Sequence, residues 1–246
     1  MKLYVRRVLA GVDAAIVLGE SLRYIFEGLL PKERIVVVPN GGDFLYDREL
    51  RANGEPRMVL FLSNLQETKG VFEVLGAAQL VLRKCKDVKF VIAGEERIMK
   101  GKLREVMKEK NLESAVECVG TVTGNEKAKL FASADIFILP TFYPYEGHPW
   151  VIIEAMAAGL PIVTTDQGCI RESVIDGING FIVPKRDEKI LADRILLLLE
   201  DDALRAELGR QGRALYNQNF TEKNFIGNLK GVFQRVLACE DHRSAD

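Results

Sequence analysis

Trp150-Val151-Ile152-Ile153-Glu154-Ala155-Met156-Ala157-Ala158 is apolar nearly all round, the pattern of a helix buried inside a layered domain. Pro149 and Gly159 bound it, and the segment reads as a short helix with Pro at its first position and Gly just past its end. Glu154 is the only charge in the segment. A carboxylate is rarely buried without a partner, because losing its hydration is costly. Glu154 is therefore expected to face a polar pocket; the plainer alternative is a buried Glu capped by backbone amides. A second carboxylate, Glu146, lies just before the same helix.

On either side of this helix the chain alternates strands with helices. Short β-branched runs recur at 14–18, 35–38, 59–62, 88–92, 136–139 and 162–164. Continuous apolar runs of that length suit strands covered on both faces, as in a parallel sheet. Helical patterns fill 71–82, 100–110, 125–133, 188–199, 203–216 and 221–237, and a short helix begins at Ser21. The alternation predicts an α/β fold, a Rossmann-like doubly wound parallel sheet. Pro39-Asn40-Gly41-Gly42 reads as a linker, and the polar stretch 47–57 precedes the strand at 58. We expect residues 1–42 to be a remnant of another domain with its linker, 43–219 the main domain, and 220–246 a terminal helix and tail.

Composition narrows the function classes. The 246 residues carry a net charge of −1, with Lys and Arg scattered, so neither nucleic acid nor an anionic membrane is an expected partner. No apolar run approaches spanning length, and the N-terminus lacks the apolar stretch of a signal peptide. The four cysteines, Cys85, Cys118, Cys169 and Cys239, are irregularly spaced, and only His148 and His242 are present. Neither pattern makes a metal or redox motif, so no metal is expected and the thiols are read as reduced, in a cytoplasmic protein.

In a doubly wound sheet, ligands bind at the loops beyond the carboxyl ends of the strands. One such loop, 63–70, ends in Lys69-Gly70, a point charge beside helix-start amides that suits a phosphate. An ordinary solvated Lys is the alternative. A second loop, 143–149, holds Glu146, Gly147 and His148 and runs into the Glu154 helix. Gly147 permits close approach of a ligand, and His148 is either a partner for a sugar or phosphate or a packed residue. A third loop, Thr165-Asp166-Gln167-Gly168, is polar and close in the order of elements. Two carboxylates eight residues apart also admit the acid and nucleophile of a glycoside hydrolase. That reading leaves Lys69 and the helix N-terminus unexplained, so phosphate-sugar binding is preferred.

The run from Glu146 through Glu154 to Pro161 resembles the signature of family-4 retaining glycosyltransferases, two Glu followed by Ala-Met-Ala-x-Gly-x-Pro. Val38-Pro39-Asn40-Gly41, Lys69-Gly70, Val119-Gly120, Ala134 to Pro140, Glu172, Asp176-Gly177 and Gly180 to Val183 follow the same pattern in order. The resemblance implies the C-terminal, donor-binding half of a GT-B fold with the end of the N-terminal acceptor domain. It implies a hexosyltransferase-type enzyme that moves a sugar from a nucleotide diphosphate sugar to a glycan or lipid-linked acceptor in glycan biosynthesis. By the resemblance Lys69 and Glu146 are catalytic, on the diphosphate and the donor sugar. Glu154 binds the ribose, Gly147 and His148 the sugar or phosphate, and Gly120, Thr121 and Val122 lie near the base. Asn64 stands where the family commonly has an Arg on the diphosphate. No cofactor or metal is implied. The alternative is a non-catalytic or split nucleotide-sugar-binding module needing a separate acceptor-domain chain. Peripheral membrane association would belong to the full enzyme.

Overall fold

In a computed structural model, which describes residues 2–46, 55–96 and 101–243, six parallel strands carry the larger core. A smaller unit comes first: α1 (Lys2–Leu9), β1 (Ala15–Val17), a 3-10 turn (Glu20–Ile25) and β2 (Ile35–Val37). The main unit then runs β3 (Arg57–Leu62), α2 (Val71–Lys84), β4 (Val88–Ala93), α3 (Lys102–Glu109), β5 (Val116–Gly120), α4 (Gly124–Ser133) and β6 (Ile136–Leu139). It continues with α5 (Trp150–Ala157), β7 (Ile162–Thr165), α6 (Ile170–Ser173), β8 (Gly180–Val183), α7 (Glu188–Glu200), α8 (Asp202–Asn219) and α9 (Glu222–Arg243).

The sheet order is β5-β4-β3-β6-β7-β8, so the chain winds outward one way from β3 and the other way from β6. Val59, Leu60 and Phe61 of β3 and all four residues of β6 are buried, as the continuous apolar runs require of strands covered on both faces. The order reverses between β3 and β6, and a crevice opens there beyond their carboxyl ends.

β5 and β8 are absent from the expected strands for a physical reason. Both lie at sheet edges and are only partly buried, so Val116-Glu117-Cys118-Val119-Gly120 and Gly180-Phe181-Ile182-Val183 lack a continuous buried run. α1 and the four-residue α6 were also not expected. Pro149 is the residue before α5 rather than its first helical residue. The polar stretch from Asp47 to Gly54 and the start of the expected helix at Lys100 lie outside the described residues.

The smaller unit is a two-stranded parallel sheet, Ala15 opposite Ile35 and Val17 opposite Val37, with its own core of Ala15, Val17, Leu30 and Ile35. Polar clamps attach it to the main unit. The Glu172 carboxylate accepts from the amides of Glu20 (2.8 Å) and Ser21 (2.9 Å) and from the Ser21 hydroxyl. The Tyr216 hydroxyl donates to the Gly42 carbonyl at 2.7 Å, and the Gly42 amide donates to Phe220 O at 3.0 Å. On α9 Val232 is buried, but Phe233 and Leu237 are 61% and 60% exposed, so its apolar face is only partly covered. No helix among the described residues is long and apolar enough to cross a membrane.

The central strand pair is pinned by a reciprocal bond. Asp135 N donates to Met58 O at 2.9 Å, and the buried Asp135 carboxylate accepts from Met58 N at 2.7 Å. Asp135→Ala strands that amide, so we expect a loss of about 1–3 kcal/mol in urea denaturation. An unchanged midpoint and slope would show that the bond contributes nothing net.

Candidate functional site

Two loops meet over the switch point. The β3 loop ends in a 3-10 turn, Glu67–Lys69, and then Gly70 at φ 84°. A Cβ on Gly70 would lie 2.3 Å from the Pro140 carbonyl, so only glycine lets this turn slide under the end of β6. Phe142 N donates to Thr68 O at 2.8 Å and locks the two loops together. That junction brings Lys69 Nζ to both oxygens of Glu146, at 3.0 and 2.8 Å. Thr141 Oγ1 donates to Glu146 Oε2 at 2.8 Å, and Lys69 Nζ also lies 4.7 Å from the centre of the Tyr143 ring. Both charges are largely withdrawn from solvent, with side-chain exposures of 13% for Lys69 and 7% for Glu146. Each therefore depends on the other for compensation.

The third loop buttresses the second. Gly168, at φ 59°, packs so closely that a Cβ would lie 2.3 Å from Glu146 O, and Cys169 N donates to Gly147 O at 3.0 Å. Beneath them the Thr165 hydroxyl donates to the Thr141 carbonyl.

His148 is buried. Its Nδ1 accepts from Asn40 N at 3.0 Å, so the proton resides on Nε2, 3.1 Å from Ser173 Oγ. Asn40 Nδ2 donates a second bond, to His148 O at 2.6 Å, and the ring packs 5.3 Å from that of Phe220. Burial pushes its pKa down to about 4 against the opposing pull of Glu172. Of the two readings open from the sequence, the packed one describes this ring: Nδ1 meets the linker at Asn40 and Nε2 meets Ser173 of α6.

The cleft has a volume of about 540 Å³, and its lining brings together Asn64, Lys69, Thr121, Val122, Glu146, Gly147 and His148. Leu18 and Asn40 reach it from the smaller unit, and Trp150 and Val151 from the start of α5. The amides of a helix's first turn have no intrahelical acceptor, so this end of α5 offers donors to an anion. Its charged lining residues are Lys69, Glu95 and Glu146, so the described cleft has no surplus of positive charge.

Gly120 and Glu154 are not among the lining residues. Gly120, at φ 75°, is the turn residue that leads to Thr121. Glu154 lies one turn along α5 from Trp150 on the same stripe, 3% exposed. It pairs with Lys127 of α4 and accepts from the Tyr46 hydroxyl at 3.4 Å. Burial, and then the Glu154 charge, hold that phenol protonated far above the ordinary tyrosine range. The expected partner of the buried carboxylate is thus a Lys on a neighbouring helix, not backbone amides. Asn40, Thr141, Ser173, Lys127 and Tyr46 were missed by sequence reasoning. No spacing signals them, because their partners lie 5 to 108 positions away.

The sequence model of a protein family described as glycosyl transferases group 1 matches residues 44–215. The chain is 28% identical over 218 residues to the putative colanic acid biosynthesis glycosyltransferase WcaL of Salmonella typhimurium, covering 84% of this chain and 52% of that one. Its fold superposes on sucrose-phosphate synthase from Thermosynechococcus elongatus with a TM-score of 0.83 at 22% identity, over 97% of this chain and 62% of that one. It superposes on a point mutant of S. aureus TarM, in complex with fondaparinux, alpha-GlcNAc-glycerol and UDP, with a TM-score of 0.76 at 25% identity, over 94% and 46%. The chain spans about half the length of the curated relatives it matches. The doubly wound sheet is thus of the GT-B type expected from the sequence.

The His148 clamp predicts a pH dependence. Its pKa is about 4 in the folded protein against 6.5 as the ordinary value, so between those limits the unfolded chain binds the extra proton. The contribution is complete above about pH 6.5 and is lost as pH falls towards 4, in total about 3 kcal/mol. We expect the difference in urea midpoint between the wild type and His148→Gln to shrink across that window. A constant difference would remove His148 as the titrating group.

Proposed function

The chain belongs to the glycosyl transferases group 1 family, and from that premise we propose that it is the donor-binding half of a retaining, family-4 glycosyltransferase. The enzyme moves a hexosyl group from a nucleotide diphosphate sugar to a glycan or lipid-linked acceptor on the cytoplasmic side. The observation that carries this reading is the meeting of Lys69 and Glu146 beyond β3 and β6, where a doubly wound sheet binds ligands.

The roles follow from chemistry. Lys69 has three N–H donors and directs two of them at the Glu146 oxygens, so its third donor and its charge serve a phosphate oxygen. As the sugar–phosphate bond breaks, negative charge grows on the leaving diphosphate, where Lys69 and the first amides of α5 stabilise it. Glu146, oriented by Thr141, accepts from hydroxyls of the donor sugar near the forming oxocarbenium centre. Glu154 accepts from the ribose, Thr121 and Val122 flank the base, and Gly147 and His148 offer backbone groups to the sugar or phosphate. Asn64 donates a neutral hydrogen bond to the diphosphate. Among the described lining residues Glu146 is engaged by Lys69 and Thr141, and in this reading the leaving phosphate itself receives the acceptor's proton, with retention and without a metal.

A second reading is favoured by the cleft's one-sidedness: only Leu18 and Asn40 reach it from the smaller unit among the described residues. In it the chain is a nucleotide-sugar-binding module that works with a separate acceptor-domain chain.

Calorimetric titration with UDP, GDP and ADP tests the donor site, and saturable binding of one of them is expected. Binding of none would overturn both readings. Lys69→Ala should weaken the diphosphate about tenfold or more and leave the matching nucleoside unchanged. Equal losses for both would dismiss a phosphate contact. Glu154→Gln should lose affinity for nucleoside and diphosphate alike.

A further inference from the structure

The Glu154 carboxylate is satisfied on one side only. Lys127 and the Tyr46 hydroxyl both bond Oε1, while Oε2 is buried and has no partner. A buried acceptor left unpaired in a native fold calls for an explanation, since such groups are nearly always bonded. Its own helix does not supply one: Ile152, Ile153, Ala155, Met156 and Ala157 are buried and apolar. Lys127 stands in the first turn of α4, on the segment that carries Thr121 and Val122 into the cleft, and its side chain is 30% exposed.

We propose that Lys127 is a positioning residue for nucleotide recognition: by holding Oε1 of Glu154 it leaves Oε2 as the acceptor for a ribose hydroxyl. This rests on the reading of Glu154 as the ribose-binding residue. A carboxylate held by an ammonium on one oxygen cannot rotate freely, so its second oxygen has a set direction. The arriving hydroxyl displaces the cover over Oε2. The Tyr46 hydroxyl bonds the other oxygen, Oε1, at a long 3.4 Å, and its ring is seated against Phe131 at 5.1 Å. Lys127 thereby converts a buried charge into a reader of ribose against deoxyribose.

The test uses the full chain and whichever of UDP, GDP and ADP binds it. That nucleotide and its 2′-deoxy and 3′-deoxy counterparts are titrated against wild type, Lys127→Met and Lys127→Arg. Wild type should favour the ribonucleotide about tenfold over at least one deoxy form. Lys127→Met should bring that ratio to about one, and Lys127→Arg should restore most of it. A purely structural ion pair would lower all affinities together and leave the ratio untouched, and that result overturns the proposal while the donor site stands. Wild type that binds no nucleotide overturns the donor-site reading and this proposal with it. Should Lys127→Met fail to fold, Lys127→Gln takes its place: a ratio brought to about one supports the proposal, and an untouched ratio overturns it.

Discussion

Lys69 and Glu146 can both leave water only because each neutralises the other, and the site is built around that requirement. Their ends meet within 2.8 Å although they come from loops 77 positions apart. The approach needs a left-handed glycine at position 70 beneath Pro140, a Thr141 hydroxyl on Glu146, and a glycine at 168 against the Glu146 carbonyl. Removing one partner would leave a buried charge without compensation. Among the described residues the same pairing leaves the lining without surplus positive charge, so Lys69's remaining donor and the α5 amides are the donors it offers a diphosphate.

Around this pair the two units are joined by polar clamps as well as apolar packing. Glu172 caps the turn at Glu20–Ile25, and Asn40 of the linker donates twice to His148. Tyr216 donates to Gly42 and accepts from Phe44 N at 3.2 Å. Each clamp is directional, so it sets an angle between the units that nonspecific burial would leave loose. Their positions explain motif residues with no evident chemistry of their own: Glu172 and the Pro39-Asn40-Gly41-Gly42 run hold the smaller unit's Leu18 and Asn40 at the rim of the cleft.

Much of the fold was legible because its signals are local. The runs at 59–62 and 136–139 become the central strands, since a strand covered on both faces must be apolar at every position. β5 and β8 were not, since an edge strand needs only part of its surface buried and so mixes Glu117 or Gly180 into its sequence. The site was legible as loops: Asn64, Lys69, Thr121, Val122, Glu146, Gly147 and His148 do share one cleft. Lys127 and Tyr46 were not, because a cation on a polar helix face and an aromatic near a turn look the same whether or not a carboxylate awaits them.

The sequence by itself determined the alternation of strand and helix, the loops that carry chemistry and the oddity of a lone carboxylate on an apolar helix. These follow from periodicity, from glycine and proline, and from the cost of burying charge, all properties of short segments. Only the tertiary structure decided the partners: Lys69 with Glu146, Lys127 with Glu154, Asn40 with His148. Partner choice depends on which strands neighbour one another and on how far each helix leans over the sheet. A hydrogen bond responds to distances of tenths of an ångström that no local pattern encodes.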